Sequence, residues 1–377
     1  MSAASKRELI PVTLLTGFLG SGKTTLLNNL VRQPELADAL VIINEFGEMP
    51  LDHALVAHST ENLVMEMSSG CLCCTIRGDL IKTLQDITWR FSREGRRQFR
   101  RVLIETTGLA DPAPIIHTLM TNPSIATRYR LDGIVTTVDL ATGSHSLDRH
   151  VEAVKQAAIA DCLLLTKADL ASPAQRAELL RRLDGINPAA PRWPVEHGEI
   201  DAGKLLDLGL FSTTGKAPDV ERWLREEAYA TQRPPAHEHE HEHEHEHHHH
   251  HDHASHGQEH PTDHHDHHHH DVNRHDDHIR AFCFSTDRPI PEDVLSAWLE
   301  VLMSFAGSNI LRVKGILNVE GSERPIVIHG VQHIFHPPAK LPAWPSEDRR
   351  SRLVFITRDV EREVIEKTFH AFSDYMQ

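Results

Sequence analysis

Gly17-Phe18-Leu19-Gly20-Ser21-Gly22-Lys23-Thr24 decides the fold, because this stretch satisfies the phosphate-loop pattern G-x-x-x-x-G-K-[ST] at every specified position. A short apolar, β-prone run at residues 10–15 precedes it, and the apolar residues Leu26, Leu27 and Leu30 follow it at helical spacing. A strand, a glycine turn and a helix in this order place backbone N–H groups at a helix N-terminus, where they bind phosphate oxygens. We therefore predict a nucleotide site here, since a chance glycine turn would not need this context.

The residue types of this stretch each suit phosphate binding. Gly20 and Gly22 let the backbone curl tightly because neither has a Cβ atom. Lys23 is predicted to reach the β- and γ-phosphates, and the Thr24 hydroxyl is predicted to bind Mg²⁺. The predicted nucleotide contacts in this part of the chain are Gly17, Gly20, Ser21, Gly22, Lys23, Thr24 and Thr25, and Lys23 and Thr24 are also predicted to act in catalysis.

Apolar runs and helical patterns alternate over the first part of the chain. Strands are predicted at residues 10–16, 39–44, 62–67, 101–106, 133–138 and 161–166. Helices are predicted at residues 79–91, 113–120, 149–160 and 173–183. Such alternation predicts an α/β fold, a P-loop NTPase domain over residues 1–231 whose mostly parallel sheet is covered by helices on both faces.

A histidine-rich tract follows this domain. Residues 237–278 hold 21 of the 31 histidines, together with twelve acidic residues and one arginine, and so carry −11 of the formal net charge of −15. Apolar residues are almost absent, so no burial offsets the entropy cost of ordering. We predict a disordered metal-binding linker over residues 232–278, in which imidazoles and carboxylates bind divalent ions loosely. The alternative is a solvated low-complexity spacer.

Secondary structure is predicted to resume at Ile279. Strands are predicted at residues 279–285, 310–319, 326–335 and 353–357, and helices at residues 291–305 and 361–375. These elements predict a small C-terminal α+β domain over residues 279–377. His329, His333 and His336 are interpreted as either a patch or ordinary surface residues.

An acid and a glycine follow the apolar run 102–104. Glu105 is placed where a carboxylate associated with Mg²⁺ belongs in phosphate-loop proteins, at the end of a strand beside the loop. We predict a catalytic role for Glu105. Gly108 would bring a backbone N–H close to the γ-phosphate. An acid after a strand is a weak signal by itself, and the preceding phosphate loop favours this functional interpretation.

The stretch Thr166-Lys167-Ala168-Asp169 follows another apolar run. GTPases read guanine with an N-K-x-D segment after a late strand, in which the Asp accepts from guanine N1–H and the 2-amino group and the Lys stem packs along the base. Here Thr166 replaces the usual Asn. The alternative is a polar strand–helix loop, and the position favours GTP over ATP with contacts from Thr166, Lys167 and Asp169.

Three cysteines lie within four positions at Cys71, Cys73 and Cys74. Thiolates this close can serve one soft or borderline ion, notably Zn²⁺, and leave one tetrahedral position for a fourth ligand. Buried small cysteines or a redox pair are the alternatives, and packing better explains the single cysteines Cys162 and Cys283. Glu45, Glu48 and Asp52 are candidates for Mg²⁺, for positioning water or for the fourth zinc position, although spacing alone favours solvated loop acids.

Composition excludes several classes of function. Charge outside the histidine-rich tract is nearly balanced, so there is no basic stripe for nucleic acid. No apolar run approaches ~18 residues, and the first eight residues lack the apolar core of a signal peptide, so we expect neither a membrane span nor export. Five cysteines, three of them clustered, indicate metal binding in a reducing, cytoplasmic setting rather than a disulfide framework.

Taken together, the phosphate loop, N-E-F-G-E at 44–48, C-L-C-C at 71–74, E-T-T-G-L-A-D-P at 105–112 and T-K-A-D at 166–169 resemble the CobW-like metallochaperone GTPases. The resemblance is strong over residues 9–230, and from residue 279 onward Arg312-Val313-Lys314-Gly315 is its clearest piece. It implies GTP hydrolysis coupled to delivery of a metal, most often zinc and sometimes cobalt (Co²⁺). It also implies that the segment from Cys74 to residue 78 lies near the nucleotide, which makes Arg77 a phosphate contact.

The main hypothesis is thus a GTP-dependent zinc chaperone with GTP, Mg²⁺ and Zn²⁺ as ligands and a metalloprotein as client. No catalytic glutamine or arginine finger is evident, so we expect slow intrinsic turnover. A client protein or a second copy of the chain, forming a homodimer, would complete the site. Two alternatives stay open: a metal-storage protein in which the histidine-rich tract is the functional part, and cobalt delivery for cobalamin synthesis.

Overall fold

The computed structural model describes residues 9–43, 63–66, 74–94, 96–208, 278–336 and 338–375, with the side chains of 63–66, 74–77 and 375 excepted. The predicted end of the first domain near residue 231 and the histidine-rich tract up to residue 277 lie outside these residues. Their predicted boundaries therefore stay predictions.

Seven parallel strands form the first sheet, in the order β3-β2-β6-β1-β7-β8-β9. The short strands β4 and β5 form a separate antiparallel pair. The nine strands are β1 Ile10–Gly17, β2 Ala39–Ile43, β3 Leu63–Glu66, β4 Ser92–Arg93, β5 Arg96–Arg97, β6 Arg101–Glu105, β7 Tyr129–Asp139, β8 Cys162–Thr166 and β9 Arg192–Pro194. The predicted parallel sheet is therefore confirmed over the described strands.

Helices cover both faces of this sheet. They are α1 Lys23–Leu30, α2 Cys74–Arg90, α3 Ala113–Thr121, α4 Pro123–Ala126, α5 Gly143–Arg149, α6 Val151–Ala158 and α7 Pro173–Ile186. Alternate residues of β2 belong to two different buried clusters, with Leu40 and Ile42 in one and Val41 and Ile43 in the other. Burial on both faces explains why these strands are continuous apolar runs.

Several element boundaries differ from the sequence predictions. Strand β7 begins at Tyr129 rather than at 133, because the charges that obscured it are buried as an ion pair between Arg130 and Asp132. The helix predicted over 149–160 is two helices, since His150 is extended (φ −132°, ψ 108°) between α5 and α6. Helix α2 begins at Cys74 rather than at residue 79.

The C-terminal sheet is antiparallel, in the order β10-β15-β11-β12-β13, with β14 beside β12. Its elements are β10 Ile279–Thr286, α8 Glu292–Ala306, β11 Ile310–Leu317, β12 Ile326–Val331, β13 Ile334–Phe335, β14 Ala339–Lys340, β15 Ser351–Arg358 and α9 Arg362–Tyr375. The predicted separate α+β domain is confirmed. No helix within the described ranges combines the length and the hydropathy needed to cross a lipid bilayer.

The two domains share a hydrophobic core. Along β10, Phe282 and Phe284 face α8 and α9, whereas Ala281 and Cys283 belong to a cluster that also contains Leu179 of α7. This alternation is the two-residue period of a strand that is buried on both faces. Cys162 and Cys283 are both buried, as the packing interpretation of the single cysteines predicts.

A hairpin made of β12 and β13 joins the C-terminal sheet to the first domain. The sequence predicts one strand over 326–335, but Gln332 has φ 53° and turns the chain after Val331. At the base of the hairpin, the His329 and His336 rings stack with centroids 5.3 Å apart, and both side chains are buried. The interpretation of these two histidines as surface residues is therefore wrong, because the domain contact covers them.

At its tip, the hairpin contacts the first domain through polar side chains. Gln332 Nε2 donates to Asp111 Oδ2 (3.5 Å), and the ring of the exposed His333 lies 6.1 Å from that of His117 on α3. Asp111 also accepts from Lys155 Nζ of α6 (2.7 Å). The hairpin tip thus makes a direct contact with the segment that follows Glu105.

Near the base of this hairpin, one acid of the first domain meets two cations of the second. Asp161, just before β8, contacts Arg312 Nη2 and accepts from Lys314 Nζ at 2.7 Å, and all three side chains are buried. Burial alone would raise the pKa of Asp161, but the charges of Arg312 and Lys314 hold it below its ordinary value. Burial lowers the pKa of Lys314 to about 8, and it lowers that of His336 to about 4. The contact therefore joins an ionised carboxylate to two cations away from water.

Candidate nucleotide site

The phosphate loop between β1 and α1 requires glycine at two positions. Gly17 has φ 143°, and a Cβ there would lie 2.2 Å from Thr137 Oγ1 and 2.5 Å from Thr137 O. Gly22 precedes α1 in the left-handed region, with φ 90°. Any larger residue at Gly17 would push the loop away from β7, so the close approach depends on the missing side chain.

Lys23 points back into its own loop. Its Nζ donates to Gly17 O (2.9 Å) and to Phe18 O (3.3 Å), and the residue is only 6% exposed. These carbonyls hold the ammonium group inside the curl of the phosphate loop. A cation in this shielded position interacts with phosphate oxygens more strongly than an exposed lysine would.

Thr24 and Glu105 meet as the sequence predicts. Thr24 Oγ1 donates to Glu105 Oε1 at 3.3 Å, although the two residues are 81 positions apart. Strands β1 and β6 are neighbours, so their C-terminal ends bring the first turn of α1 and the end of β6 together. Glu105 is fully buried. A hydroxyl and a carboxylate oxygen at one point are the kind of donors that Mg²⁺ prefers.

The segment after Glu105 lies against the phosphate loop. A Cβ on Gly108 would be 2.6 Å from Leu19 N, so the two backbones touch. Gln156 of α6 holds this segment, because its Nε2 donates to Ala110 O (3.0 Å) and to Gly108 O (3.3 Å). The position of Gly108 beside the loop fits the predicted backbone contact with a γ-phosphate.

The predicted base-reading stretch begins where β8 ends. Thr166 Oγ1 donates to Ser21 O of the phosphate loop (2.9 Å) and approaches Val138 O (3.3 Å). Lys167 has φ 55° and donates from Nζ to Asp139 Oδ2 at 2.8 Å. Asp169 lies in the short 3-10 helix Ala168–Leu170 with its side chain exposed. The stretch is thus tied to the phosphate loop at one end and open to solvent at the other.

Comparison with known proteins agrees with this arrangement. Residues 11–194 match the nucleotide-binding domain of the CobW/HypB/UreG family, and residues 279–373 match the C-terminal domain of the cobalamin synthesis protein CobW. The zinc chaperone YjiA of Escherichia coli (strain K12) is 31% identical over 360 residues, which cover 96% of this chain and 98% of YjiA. The chain belongs to the CobW family. The predicted resemblance is confirmed.

A solved structure of YjiA and a second relative are also similar to this CobW-family protein, the first over nearly its whole length and the second over about half of it. The crystal structure of Zn(II)-bound YjiA GTPase from E. coli covers 97% of this chain and 99% of its own, with a TM-score of 0.65 and 26% identity. The zinc-regulated GTPase metalloprotein activator 1 of Schizosaccharomyces pombe is 34% identical over 214 residues, which are 55% of this chain and 51% of the relative. The YjiA match thus extends over both domains.

Several predicted site residues of this CobW-family protein lie outside the described part. Glu45, Cys71 and Cys73 are among them, and for Cys74 and Arg77 only the backbone is described, in the first turn of α2. Among the described side chains, no group of three or more His, Cys, Asp or Glu residues is close enough to hold a metal ion. The predicted zinc ligands therefore stay predictions.

Two residues of the site were missed in the sequence. Asp139 ends β7 just as Glu105 ends β6, so the criterion that selected Glu105, an acid directly after an apolar strand, would have found it. Gln156 gives no comparable signal, because a glutamine inside an amphipathic helix is usually solvated. Its 1% exposure follows from the packing of α6 on β7, where Thr136 Oγ1 donates to Gln156 O at 2.9 Å.

Proposed function

We propose that this chain hydrolyses GTP in order to deliver zinc to a client metalloprotein. The observation that carries the proposal is the meeting of three segments at one sheet edge: the phosphate loop, Glu105 and the stretch from Thr166 to Asp169. Relatives named as a zinc chaperone, YjiA, and as zinc-regulated GTPase activators support it. The GTPase domain is proposed to end at residue 231, and residues 232–278 to form a metal-binding linker.

The residues present fit a nucleoside triphosphate with Mg²⁺. Gly17 lets the phosphate loop pack closely against Thr137 of β7, and Thr24 Oγ1 and Glu105 Oε1 offer two oxygen ligands 3.3 Å apart. When bound, Mg²⁺ neutralises charge on the β- and γ-phosphates. The Lys23 ammonium stabilises the negative charge that grows during phosphoryl transfer, and the N–H of Gly108 orients the γ-phosphate. The proposed phosphate contacts also include Gly20, Ser21, Gly22, Thr25 and Arg77.

The base is proposed to bind beside the 3-10 helix Ala168–Leu170. An ionised Asp169 accepts two hydrogen bonds from guanine, from N1–H and from the 2-amino group, and adenine offers no such pair. The Lys167 stem packs along the purine ring. The hydrogen bond from Thr166 Oγ1 to Ser21 O links the base-reading stretch to the phosphate loop.

Replacing Asp169 with asparagine is expected to weaken GTP binding about a hundredfold, because two hydrogen bonds to a charged acceptor are lost. The variant should instead accept xanthosine triphosphate, whose 2-oxo group matches the amide donor. Competition of GTP, ATP and xanthosine triphosphate against a fluorescent GDP measures both effects. Asp184→Asn, a change of an exposed acid on α7, is the matched control and should leave all three affinities unchanged. Equal competition by ATP and GTP for the unmodified protein would refute guanine selectivity.

Zinc is the proposed cargo, bound by Cys71, Cys73 and Cys74 with Glu45 as the fourth ligand. Cys74 is the first residue of α2, and the sequence places the cysteines between β3 and the segment that the family resemblance brings near the nucleotide. A shift of that segment on hydrolysis would change the spacing of the thiolates. Tetrahedral zinc is sensitive to that spacing. Release of the ion after hydrolysis follows from this coupling.

We expect bound GTP to tighten zinc by ~5–150-fold relative to GDP, the usual range for coupled sites. The experiment titrates zinc against a chelator, with a non-hydrolysable GTP analogue and then with GDP. It uses protein that lacks residues 237–278, so that loose histidine sites do not contribute. Cys73→Ser should weaken zinc binding and remove the difference between nucleotides, whereas Cys283→Ala, which changes a buried cysteine elsewhere, should retain both.

Equal zinc affinity in the two nucleotide states would contradict the chaperone mechanism. Binding of many ions that disappears with residues 237–278 and ignores nucleotide would instead identify a storage protein. Tighter binding of cobalt than of zinc at the cysteine site would favour cobalt delivery.

A further inference from the structure

Asp139, at the end of β7, holds two loops with one carboxylate. Its Oδ1 accepts from the backbone N–H groups of Ala141 (2.8 Å) and Thr142 (3.2 Å), which fixes the turn into α5. Its Oδ2 accepts from Lys167 Nζ at 2.8 Å. Asp139 is only 6% exposed. The carboxylate therefore lies in a shielded position between the ends of β7 and β8.

Lys167 adopts a backbone conformation that needs support. Its φ of 55° and ψ of 40° lie in the left-handed region, which is unfavourable for a residue that carries a Cβ atom. Its amino group is fixed at Asp139, and Asp139 pairs with Thr166 in the register of β7 and β8. The aliphatic stem of Lys167 therefore runs from its backbone, just before the 3-10 helix Ala168–Leu170, across the C-terminal end of β8 to that of β7.

The ionised state of Asp139 suits this role. Burial alone would raise the pKa of Asp139, but hydrogen bonds from Lys167, from the Thr142 side chain and from the Ala141 backbone hold it below its ordinary value. The carboxylate is charged at neutral pH, so the contact with Lys167 is an ion pair. The Lys167 side chain is 36% exposed, but the carboxylate that accepts its 2.8 Å charge-assisted hydrogen bond is only 7% exposed. Such a bond positions a lysine more firmly than a pair that is exposed at both ends.

We infer that Asp139 is a positioning residue for base recognition, which holds the stem of Lys167 against the purine ring and Asp169 against the guanine edge. This inference rests on the proposed function, because it assumes that the base binds at this stretch. Asp139 itself need not touch the nucleotide. It acts through Lys167, and its contacts with Ala141 and Thr142 are a separate structural role that an asparagine can retain.

The test is a double-mutant cycle read out as nucleotide affinity. Asp139→Asn keeps an oxygen acceptor for the turn and removes the charge, and Lys167→Met keeps the stem and removes the ammonium group. Each single change should weaken GTP and GDP binding about tenfold, and the double variant should lose no more than either single one. Affinity for pyrophosphate should stay within about twofold of the unmodified protein, because phosphate contacts are unaffected. Affinity for ATP should fall less than that for GTP, because adenine shares the contact with the Lys167 stem but not the contacts with Asp169.

The chain offers a matched control in Asp111. This acid also accepts a backbone N–H through Oδ1, from Ala113 at 3.0 Å, and a lysine through Oδ2, from Lys155 at 2.7 Å. Its ion pair lies away from the base-reading stretch, so Asp111→Asn should leave the ratio of GTP to ATP affinity unchanged. Thermal unfolding of every variant shows whether the fold is retained.

Three results would overturn the inference. Asp139→Asn could leave the ratio of GTP to ATP affinity unchanged while the unmodified protein discriminates between them. It could weaken GTP, ATP and pyrophosphate equally, which is what a purely structural role predicts. The losses in Asp139→Asn and Lys167→Met could also add in the double variant. If the unmodified protein itself binds ATP and GTP equally, guanine recognition in the proposed function fails, and this inference fails with it.

Discussion

Replacing Lys23 with alanine lowers the turnover number for GTP by at least about a hundredfold, the loss typical when one preorganised donor to a developing charge is removed. Lys23 is shielded at 6% exposure and is held by the carbonyls of Gly17 and Phe18, so its charge acts in a site where water screens it weakly. Phosphate release at saturating GTP and Mg²⁺ measures the effect. Saturation separates lost catalysis from weaker binding.

The control for this result is Lys204→Ala, which removes an exposed lysine from the 3-10 helix Ala202–Leu205. It should leave turnover within about twofold, because an exposed charge far from the site is screened. Turnover of Lys23→Ala within tenfold of the unmodified protein would mean that the phosphate loop is not the site of hydrolysis.

Replacing Asp161 with alanine is expected to lower the free energy of unfolding by about 3–5 kcal/mol. The change leaves the charges of Arg312 and Lys314 buried without their carboxylate, and it also removes the acceptor of the Ile134 N–H (2.9 Å). Urea unfolding of the full chain, followed by circular dichroism, gives the difference from the unmodified protein. The lower free energy of unfolding should appear as a lower urea concentration at the midpoint of the transition.

Asp184→Ala is the matched comparison, because Asp184 pairs with Arg192 at 2.6 Å but is 64% exposed. An ion pair with a solvated carboxylate contributes about 0–1 kcal/mol. Arg192, which is 16% exposed, also keeps the carbonyl acceptors of Leu180 and Asn187, so this variant should unfold close to the unmodified protein. Similar midpoints for the two variants would show that the buried contact contributes no more than a surface pair.

The sequence predicts which segments come together at this edge of the sheet, because the signals are local. A strand end followed by a specific short pattern marks the phosphate loop, Glu105 and Thr166–Asp169, and parallel neighbours bring strand ends together. The contact between Thr24 and Glu105 follows from that rule alone. Asp139 fits the same rule, because it ends β7 as Glu105 ends β6.

Residues whose role depends on contacts between domains could not be predicted from local patterns. His329 and His336 look like surface residues in a strand, and only the docking of the hairpin on the first domain buries them. Arg312 and Lys314 stood out through the family resemblance, but nothing near them in the chain indicates Asp161. A single sequence holds no record of which distant charges meet.

The contact between Asp161 and the two cations also limits how the chain can be recombined. Asp161 is 151 residues from Arg312 and 153 from Lys314, on opposite sides of the histidine-rich tract. A crossover within that tract would take the acid from one parent and both cations from the other. If the parents differ at these positions, the chimera would contain a buried charge without its partner at the contact between the domains, although each domain is intact. An exchange of one domain between relatives should therefore keep Asp161, Arg312 and Lys314 matched, even though the two domains match two separate families of domains.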